Sequence, residues 1–514
     1  MKRFTEYIKN FTSSWFLILS CAISIAIFNG CKEEISAPNY ATLLPVSNDT
    51  TGGTWKTYLI TSPDEIKLPG PSTTLSTEYQ TELIAMKKAM SSRTIEQLNQ
   101  AKYWASGAVL RWNEIARKLV AKYNVAPSAV IGADGKTSYP VLNAPFANPP
   151  IASRIYAYLS VAQYDALVAT WNFKYKINRP APNLIDNTII PALDIPKLPS
   201  YPSEHSAIAA VSCEVLAFFF PSEKDYLVSL AMQHEESRIL IGANVMSDIT
   251  AGDSLGKLIS TKAIARAKTD GASTAGKEDT LYYPHRTDGW KSIEIPISGA
   301  SERPAMLPTW GKVKTWTVPD VEKERPVPPP ALNSIEYKTA LAEVKSISEN
   351  RTREQWRIAD YWADGGGTFT PPGKWNYIAS NLIRKNNMSE LRTARTFALL
   401  NMAIMDAGIC CWDVKYYYYL PRPSQIDPSI KTSTGIPNFP SYTSGHATFS
   451  GAGSTVLEYI FPSEAASLKA QADEAALSRL YGGIHYRFDN ETGVFCGRNI
   501  GAHAVILGRA DGSP

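Results

Sequence analysis

The residues best equipped for chemistry lie towards the C-terminus. Lys415 is followed by Arg422-Pro423, then by Phe439-Pro440-Ser441-Tyr442-Thr443-Ser444-Gly445-His446, then by Ser478-Arg479, His485 and Asp489. Three cations, a Ser-Gly-His and a second histidine are the parts of a site for a tetrahedral or trigonal-bipyramidal oxyanion. Lys415, Arg422 and Arg479 would neutralise its charge, the arginines with fork-shaped donors. Ser444 offers a hydroxyl, and Gly445 a backbone N–H that no side chain obstructs. The run Ala447 to Ala452 reads as the start of a helix, so Ser444 and Gly445 would sit at a helix N-terminus, the end that attracts anions. His446 and His485 supply one nucleophile or metal ligand and one acid/base. Asp489 stands one helical turn after His485, where it can fix the imidazole tautomer or cap a helix.

This three-block pattern resembles the superfamily that joins vanadium-dependent haloperoxidases to type-2 phosphatidic acid phosphatases and bacterial acid phosphatases. For the haloperoxidase branch the resemblance implies vanadate as cofactor, with His485 as its one imidazole ligand. Lys415, Arg422, Ser444, Gly445 and Arg479 would hold its oxygens, His446 would shuttle protons and Lys415 would polarise peroxide. The implied partners are hydrogen peroxide and a halide, with a small organic molecule as a further acceptor, and hypohalous acid is the product. The phosphatase branch uses the same cage differently: His485 would attack phosphorus and His446 would protonate the leaving group. Vanadate and phosphate are nearly isostructural, so the cage alone does not separate the two, and a soluble acid phosphatase or phosphotransferase working through phosphohistidine is the alternative. Local context favours the haloperoxidase. Trp412 and Phe439 occupy positions that are aromatic in chloride- and iodide-oxidising members, where they would line the pocket, and iodide is the halide this analogy favours. Tyr361-Trp362-Ala363-Asp364-Gly365 with Thr370-Pro371-Pro372-Gly373 also resembles bacterial members.

The elements that must position these residues occur twice. At an offset of 241, Asp165, Trp171 and Lys174 recur as Asp406, Trp412 and Lys415, and Ser203, His205, Arg238 and Asp248 as Ser444, His446, Arg479 and Asp489. Arg179-Pro180 pairs with Arg422-Pro423 after a short gap, and Tyr103-Trp104-Ala105 with Tyr361-Trp362-Ala363 at a larger offset. Apolar residues at three- and four-residue spacing from Glu78 onwards, and scarce strand-like alternation, predict an all-α chain. The architecture expected is two tandem, duplicated helical bundles, 75–270 and 333–514, joined by a Pro/Gly-rich connector over 271–332. The resemblance implies the same fold. The copies are not equivalent: Asn244 stands where His485 would be, and Glu204 stands where Gly445 would be. Lys174, Arg179, His205 and Arg238 therefore read as remnants held by internal ion pairs and hydrogen bonds, and the C-terminal bundle as the one with the complete site.

With 514 residues the chain suits more than one ordinary core, and a net charge of +4 gives no case for nucleic acid. Lys2, Arg3 and Lys9 precede an apolar run from Trp15 to Phe28, and Phe28-Asn29-Gly30-Cys31 resembles a bacterial lipobox. Residues 1–31 thus read as a lipoprotein signal segment, 32–74 as a tether, and Cys31 as a lipid anchor, giving an exported protein, periplasmic or at the cell surface. No later segment reads as apolar enough to cross a membrane. Cys213, Cys410, Cys411 and Cys496 fit no zinc spacing; an oxidising compartment permits disulfides among them, whose pairing the sequence does not give, and buried free thiols are the preferred reading.

Overall fold

The computed structural model describes residues 41–125, 147–277, 283, 287–292 and 305–514, with the backbone of 130–131 and 137–138. The signal segment and Cys31 lie outside the described residues. Helix starts follow the capping residues: Ser76, Thr94, Asn148, Ser203, Ser334, Thr352 and Ser389 each accept a first-turn N–H with the side chain. The first repeat comprises α1 (Thr77–Ser92), α2 (Ile95–Ala105), α3 (Ala108–Tyr123), α4 (Pro149–Ile177), α5 (Glu204–Phe219), α6 (Lys224–Leu240) and α7 (Met246–Lys268). The second comprises α8 (Ile335–Asn350), α9 (Arg353–Tyr361), α10 (Thr370–Lys385), α11 (Glu390–Tyr418), α12 (Gly445–Ile460), α13 (Ala465–Tyr481) and α14 (Arg487–Arg509). Among the described residues, strand is confined to the two-residue ladder Val130–Ile131 with Thr137–Ser138. The fold is all-α and duplicated, as expected.

Helices α4 and α11 form the spine and pack on each other at the centre of one compact unit spanning 42–514. Their axis of pseudo-symmetry is marked by a buried polar chain: Asn113 Nδ2 donates to Asn376 Oδ1 (2.8 Å), Asn376 Nδ2 to Asn401 Oδ1 (2.7 Å) and Asn401 Nδ2 to Ser160 Oγ (2.9 Å). Helix α11 is the one described helix long and apolar enough to cross a membrane, against the expectation of none. Its apolar stretch is wholly buried. A helix that is hydrophobic all round is what the centre of a large core requires.

The tether and connector readings need correction where the structure describes them. Trp55, Ile60 and Ile66, read as tether, belong to the main core, as do Trp310, Val313 and Val318 of the connector. Both segments are straps of one design. Asp165 on α4 accepts the backbone N–H groups of Tyr58, Leu59 and Ile60 (2.6–3.2 Å), and Asp406 on α11 accepts those of Trp316, Thr317 and Val318 (2.7–3.1 Å). Gly53 meets the backbone of Asn172, and Gly311 that of Asp413, so closely that a Cβ at either would lie under 3 Å away. Each strap therefore belongs to its repeat. Asp406→Ala should strand these buried N–H groups and lower stability by about 3 kcal/mol, read as a shift in the urea midpoint.

Candidate oxyanion site

The site is assembled by the C-terminal half of α11, the loop from Arg422 to Ser444, the start of α12, the end of α13 and the turn into α14. Close helix approach sets the scale. A Cβ on Gly497 would lie 2.2 Å from the Thr448 carbonyl oxygen, so α14 touches α12 backbone to backbone. That contact brings the turn carrying His485 and Asp489 against the start of α12, and Ser444 N–H donates to the Asp489 carbonyl (3.0 Å).

Lys415, Arg422 and Arg479 are all buried. Lys415 Nζ donates only to backbone carbonyls, those of Pro440 (3.0 Å), Ser441 (2.9 Å) and Thr443 (2.5 Å). Arg422 donates to the carbonyls of Phe439 (3.1 Å) and Ile484 (2.8 Å), and its Nη1 also lies 3.0 Å from His485 Nε2. Arg479 donates to the Ala359 carbonyl (2.6 Å) and Ser478 Oγ (2.8 Å). Among the described residues, no carboxylate lies within ion-pair distance of any of the three. Burial pushes Lys415 down to about 7, and Arg422 and Arg479 each down to about 10. Three buried, unpaired cations are costly, and an anion in their midst is what would relieve them.

His485 is held for use of one nitrogen. Its Nδ1–H donates to Asp489 Oδ2 (2.8 Å), which also accepts from Ser441 Oγ (2.5 Å) and the Tyr486 N–H (3.2 Å). That assignment leaves the lone pair on Nε2, facing Arg422. Burial, then Arg422 and Lys415, hold the imidazole well below its ordinary range, so it is neutral. Burial raises Asp489 to about 6, against the hydrogen bond from Ser441 and the charge of Lys415. His446, in the first turn of α12, donates Nε2–H to the Ala363 carbonyl (3.2 Å), and burial with Arg479 keeps it neutral as well.

The space for an anion is marked by what is left over. Ser444 Oγ is buried and has no hydrogen-bond partner. At Gly445 an added Cβ would meet only Trp412 Cζ3, at 3.7 Å. Trp412 and Phe439 pack together with ring centroids 4.8 Å apart, and Lys415 Nζ and the Arg422 guanidinium lie 5.0 and 5.1 Å from the Phe439 ring. The ten residues singled out in the sequence (Lys415, Arg422, Ser444, Gly445, His446, Arg479, His485, Asp489, Trp412 and Phe439) thus fall in one neighbourhood. Sequence reasoning gave no role to Ser441 or Asp364. Ser441 was visible as part of a Pro-Ser-Tyr triad shared by both repeats. Asp364 is buried, has an unpartnered Oδ2 and feels the charge of Arg479, while Lys374 lies 3.6 Å from its other oxygen.

The first repeat shows the same cage filled from within. Glu204 forms an ion pair with Lys174 (2.8 Å), and Arg179 pairs with Asp248. Ser203 Oγ caps its own helix at the Ser206 N–H, Asn244 donates to the Ser200 carbonyl (3.0 Å), and His205 Nδ1 lies 2.8 Å from His234 Nε2. The remnant reading of Lys174, Arg179 and His205 agrees with this geometry; Arg238 departs from it, since among the described residues it forms no ion pair and its buried Nε has no hydrogen-bond partner. The model of the PAP2 superfamily matches both repeats, over residues 155–269 and 395–510. The chain belongs to the PAP2 superfamily. Vanadium chloroperoxidase from Curvularia inaequalis is 29% identical over 153 residues, which cover 23% of this chain and 25% of that protein, so the match spans about a quarter of that relative. A solved bacterial vanadium-dependent iodoperoxidase aligns with TM-score 0.56 and 28% identity, over 70% of this chain and 91% of the other. A holo-type bacterial vanadium-dependent chloroperoxidase aligns with TM-score 0.53 over 71% and 92%, and at 15% identity this likeness speaks for the fold alone.

Proposed function

We propose that the protein is a vanadate-dependent haloperoxidase that oxidises a halide, iodide in the first instance, with hydrogen peroxide to hypohalous acid. The observation that carries the proposal is the uncompensated cage: three buried cations without a carboxylate, a buried Ser444 hydroxyl without a partner, and a neutral imidazole offering Nε2. Among the described residues no three His, Cys, Asp or Glu converge as they would for a divalent cation, so the donor set suits an oxyanion held by one imidazole. The likeness to the iodoperoxidase supports the choice of halide, and the aromatic wall of Trp412 and Phe439 suits a weakly hydrated anion. By analogy with its sequence leader, the protein would work outside the cytoplasm, tethered through Cys31.

Vanadate, when bound, supplies a Lewis-acidic centre that activates peroxide without changing oxidation state. The chain's own residues do the rest. His485 Nε2 provides the one nitrogen ligand, and Asp489 keeps that nitrogen deprotonated by holding the proton at Nδ1. Lys415, Arg422, Arg479, Ser444 Oγ and the Gly445 N–H hold the oxygens and delocalise their charge. His446 holds or releases a proton at Nδ1, with Nε2–H anchored on Ala363. Trp412 and Phe439 would give the bound group an apolar wall on one side.

Loading apo-protein with orthovanadate should produce peroxide- and iodide-dependent oxidation. Phosphate-ester hydrolysis that vanadate inhibits, with phosphate trapped on His485, would replace this reading by the phosphatase. Lys415 adds a pH signature. Its cationic form is the one that attracts the anion, and in the anion-free protein half of it is already neutral at about pH 7. Vanadate affinity, corrected for vanadate's own protonation, should therefore be greatest below pH 7 and weaken by up to about tenfold per unit above it. A flat affinity between pH 6 and 9 would exclude this role.

A further inference from the structure

We infer that the groove between α13 and α14 carries a second ligand site, for a small neutral amide with an apolar body. A cavity of about 290 Å³ lies between α13 and α14, with Ala476, Leu477, Leu480 and Val494 on its walls. That volume is at the lower end of small-molecule sites, which run from about 300 Å³ upwards. Asn490 lines it and is only 3% exposed. Neither its Nδ2 nor its Oδ1 has a hydrogen-bond partner, although both atoms are buried. A buried carboxamide with donor and acceptor both idle costs stability, and such groups are rare in folded proteins without a reason.

The other repeat shows that the fold does not require this arrangement. Ile249 occupies the position of Asn490 and is simply buried. Glu235 occupies the position of Ala476, and its carboxylate accepts a hydrogen bond from Ser206 Oγ at 2.8 Å. Ala447 stands in place of Ser206, and with Ala476 and Val494 it forms a small separate apolar cluster. In the second repeat a plug has been removed, its anchor has been removed, and a two-ended hydrogen-bonding group has been added beside the hollow.

The rim selects the ligand's charge. Arg498 is paired with Asp473 (3.2 Å), and Arg487 with Glu343 (2.5 Å) and, more loosely, Glu491 (4.0 Å). No surplus charge faces the opening, so a carboxylate or an amine gains nothing there. The carboxamide of Asn490 matches a group that offers one N–H and one C=O side by side, which is an amide. The apolar walls would take its hydrocarbon part.

The test uses N-benzylacetamide as probe and benzyl acetate, the same shape without the N–H, as control. Methyl signals of Leu477, Leu480 and Val494 in the full chain should shift saturably with the amide, and the ester should bind about tenfold more weakly for want of one hydrogen bond. Asn490→Ile, which copies the first repeat, should abolish amide binding and raise Tm by about 2 °C, because the idle polar group is gone. Ala476→Glu should also abolish binding by rebuilding the plug. Equal binding of amide and ester, no methyl shift at 10 mM amide, unchanged amide binding in either variant, or a fall in Tm for Asn490→Ile would each overturn the proposal. None of these readouts depends on vanadate or halide, so this inference stands or falls separately from the proposed activity.

Discussion

His485→Ala should remove vanadate-dependent halide oxidation by about 10³-fold or more, about 4 kcal/mol in the barrier, while the protein still folds. His485 supplies the ligating imidazole, and its neighbours are otherwise committed: Arg422 is a cation, Asp489 is engaged with Ser441 and the Tyr486 N–H, and His446 is tied to the Ala363 carbonyl at the start of α12. Asp489→Asn tests the layer behind it. An amide accepts from His485 Nδ1–H more weakly than a carboxylate does and can also turn its N–H to the ring, so vanadate affinity should fall about 10- to 100-fold, the usual range for a group that orients a metal-ligating histidine. Vanadate titration of the two variants should therefore give a graded series, with His485→Ala the worse. If Asp489→Asn were as damaging as His485→Ala, the carboxylate would be doing more than holding the tautomer. If His485→Ala kept its vanadate-dependent turnover, the cage would not act through a single imidazole. Far-ultraviolet circular dichroism and urea midpoints of both variants separate lost chemistry from lost structure.

The readability of this site in the sequence follows from the way each part is held. Lys415, Arg422, His446, Arg479 and His485 are recognisable because the chemistry needs those side chains themselves. The repeat at an offset of 241 is visible over α4 to α7 and α11 to α14 because buried helices tolerate neither insertion nor a change of face, so matching residues keep their spacing. The straps were opaque for the opposite reason. Their backbone N–H groups are captured by Asp165 and Asp406, and this asks only for an extended segment with one small residue where Gly53 or Gly311 presses on the spine. Thr57 and Thr315, each donating Oγ1–H to the carbonyl three residues on, are almost the only other trace. A segment recognised through its backbone leaves little pattern in its side chains, and proline and glycine then read as tether or connector. Asn490 was missed for a third reason: a single asparagine on a helix has no signature until its neighbours are seen to leave it without a partner.

Gly445→Glu should turn the second repeat into a likeness of the first, with the loss of vanadate binding and a gain in stability together. In the first repeat Glu204 holds the equivalent position and pairs with Lys174 at 2.8 Å. Burial works against its charge, yet Lys174 and Arg238 outweigh burial and keep the Glu204 carboxyl below its ordinary range. A cage of this kind thus accepts an internal carboxylate as its anion. Gly445 opens α12 at a helical position, and a Cβ there would make only an ordinary contact with Trp412, so the backbone permits the substitution. The new carboxylate would reach Lys415, whose ammonium now has only carbonyls around it. Vanadate would then have to displace a tethered anion, and its affinity should fall by about 10³-fold or more, about 4 kcal/mol. The same ion pair should raise Tm by a few degrees, about 1–2 kcal/mol, because it relieves a buried unpaired charge. Gly445→Gln separates charge from bulk: it should weaken vanadate binding through crowding but give no gain in Tm. A Gly445→Glu protein that is less stable than the parent would mean that the cage cations are not seeking an anion at all, whereas loss of binding together with added stability would show that the two repeats differ chiefly in whether the anion is built in or borrowed from solution.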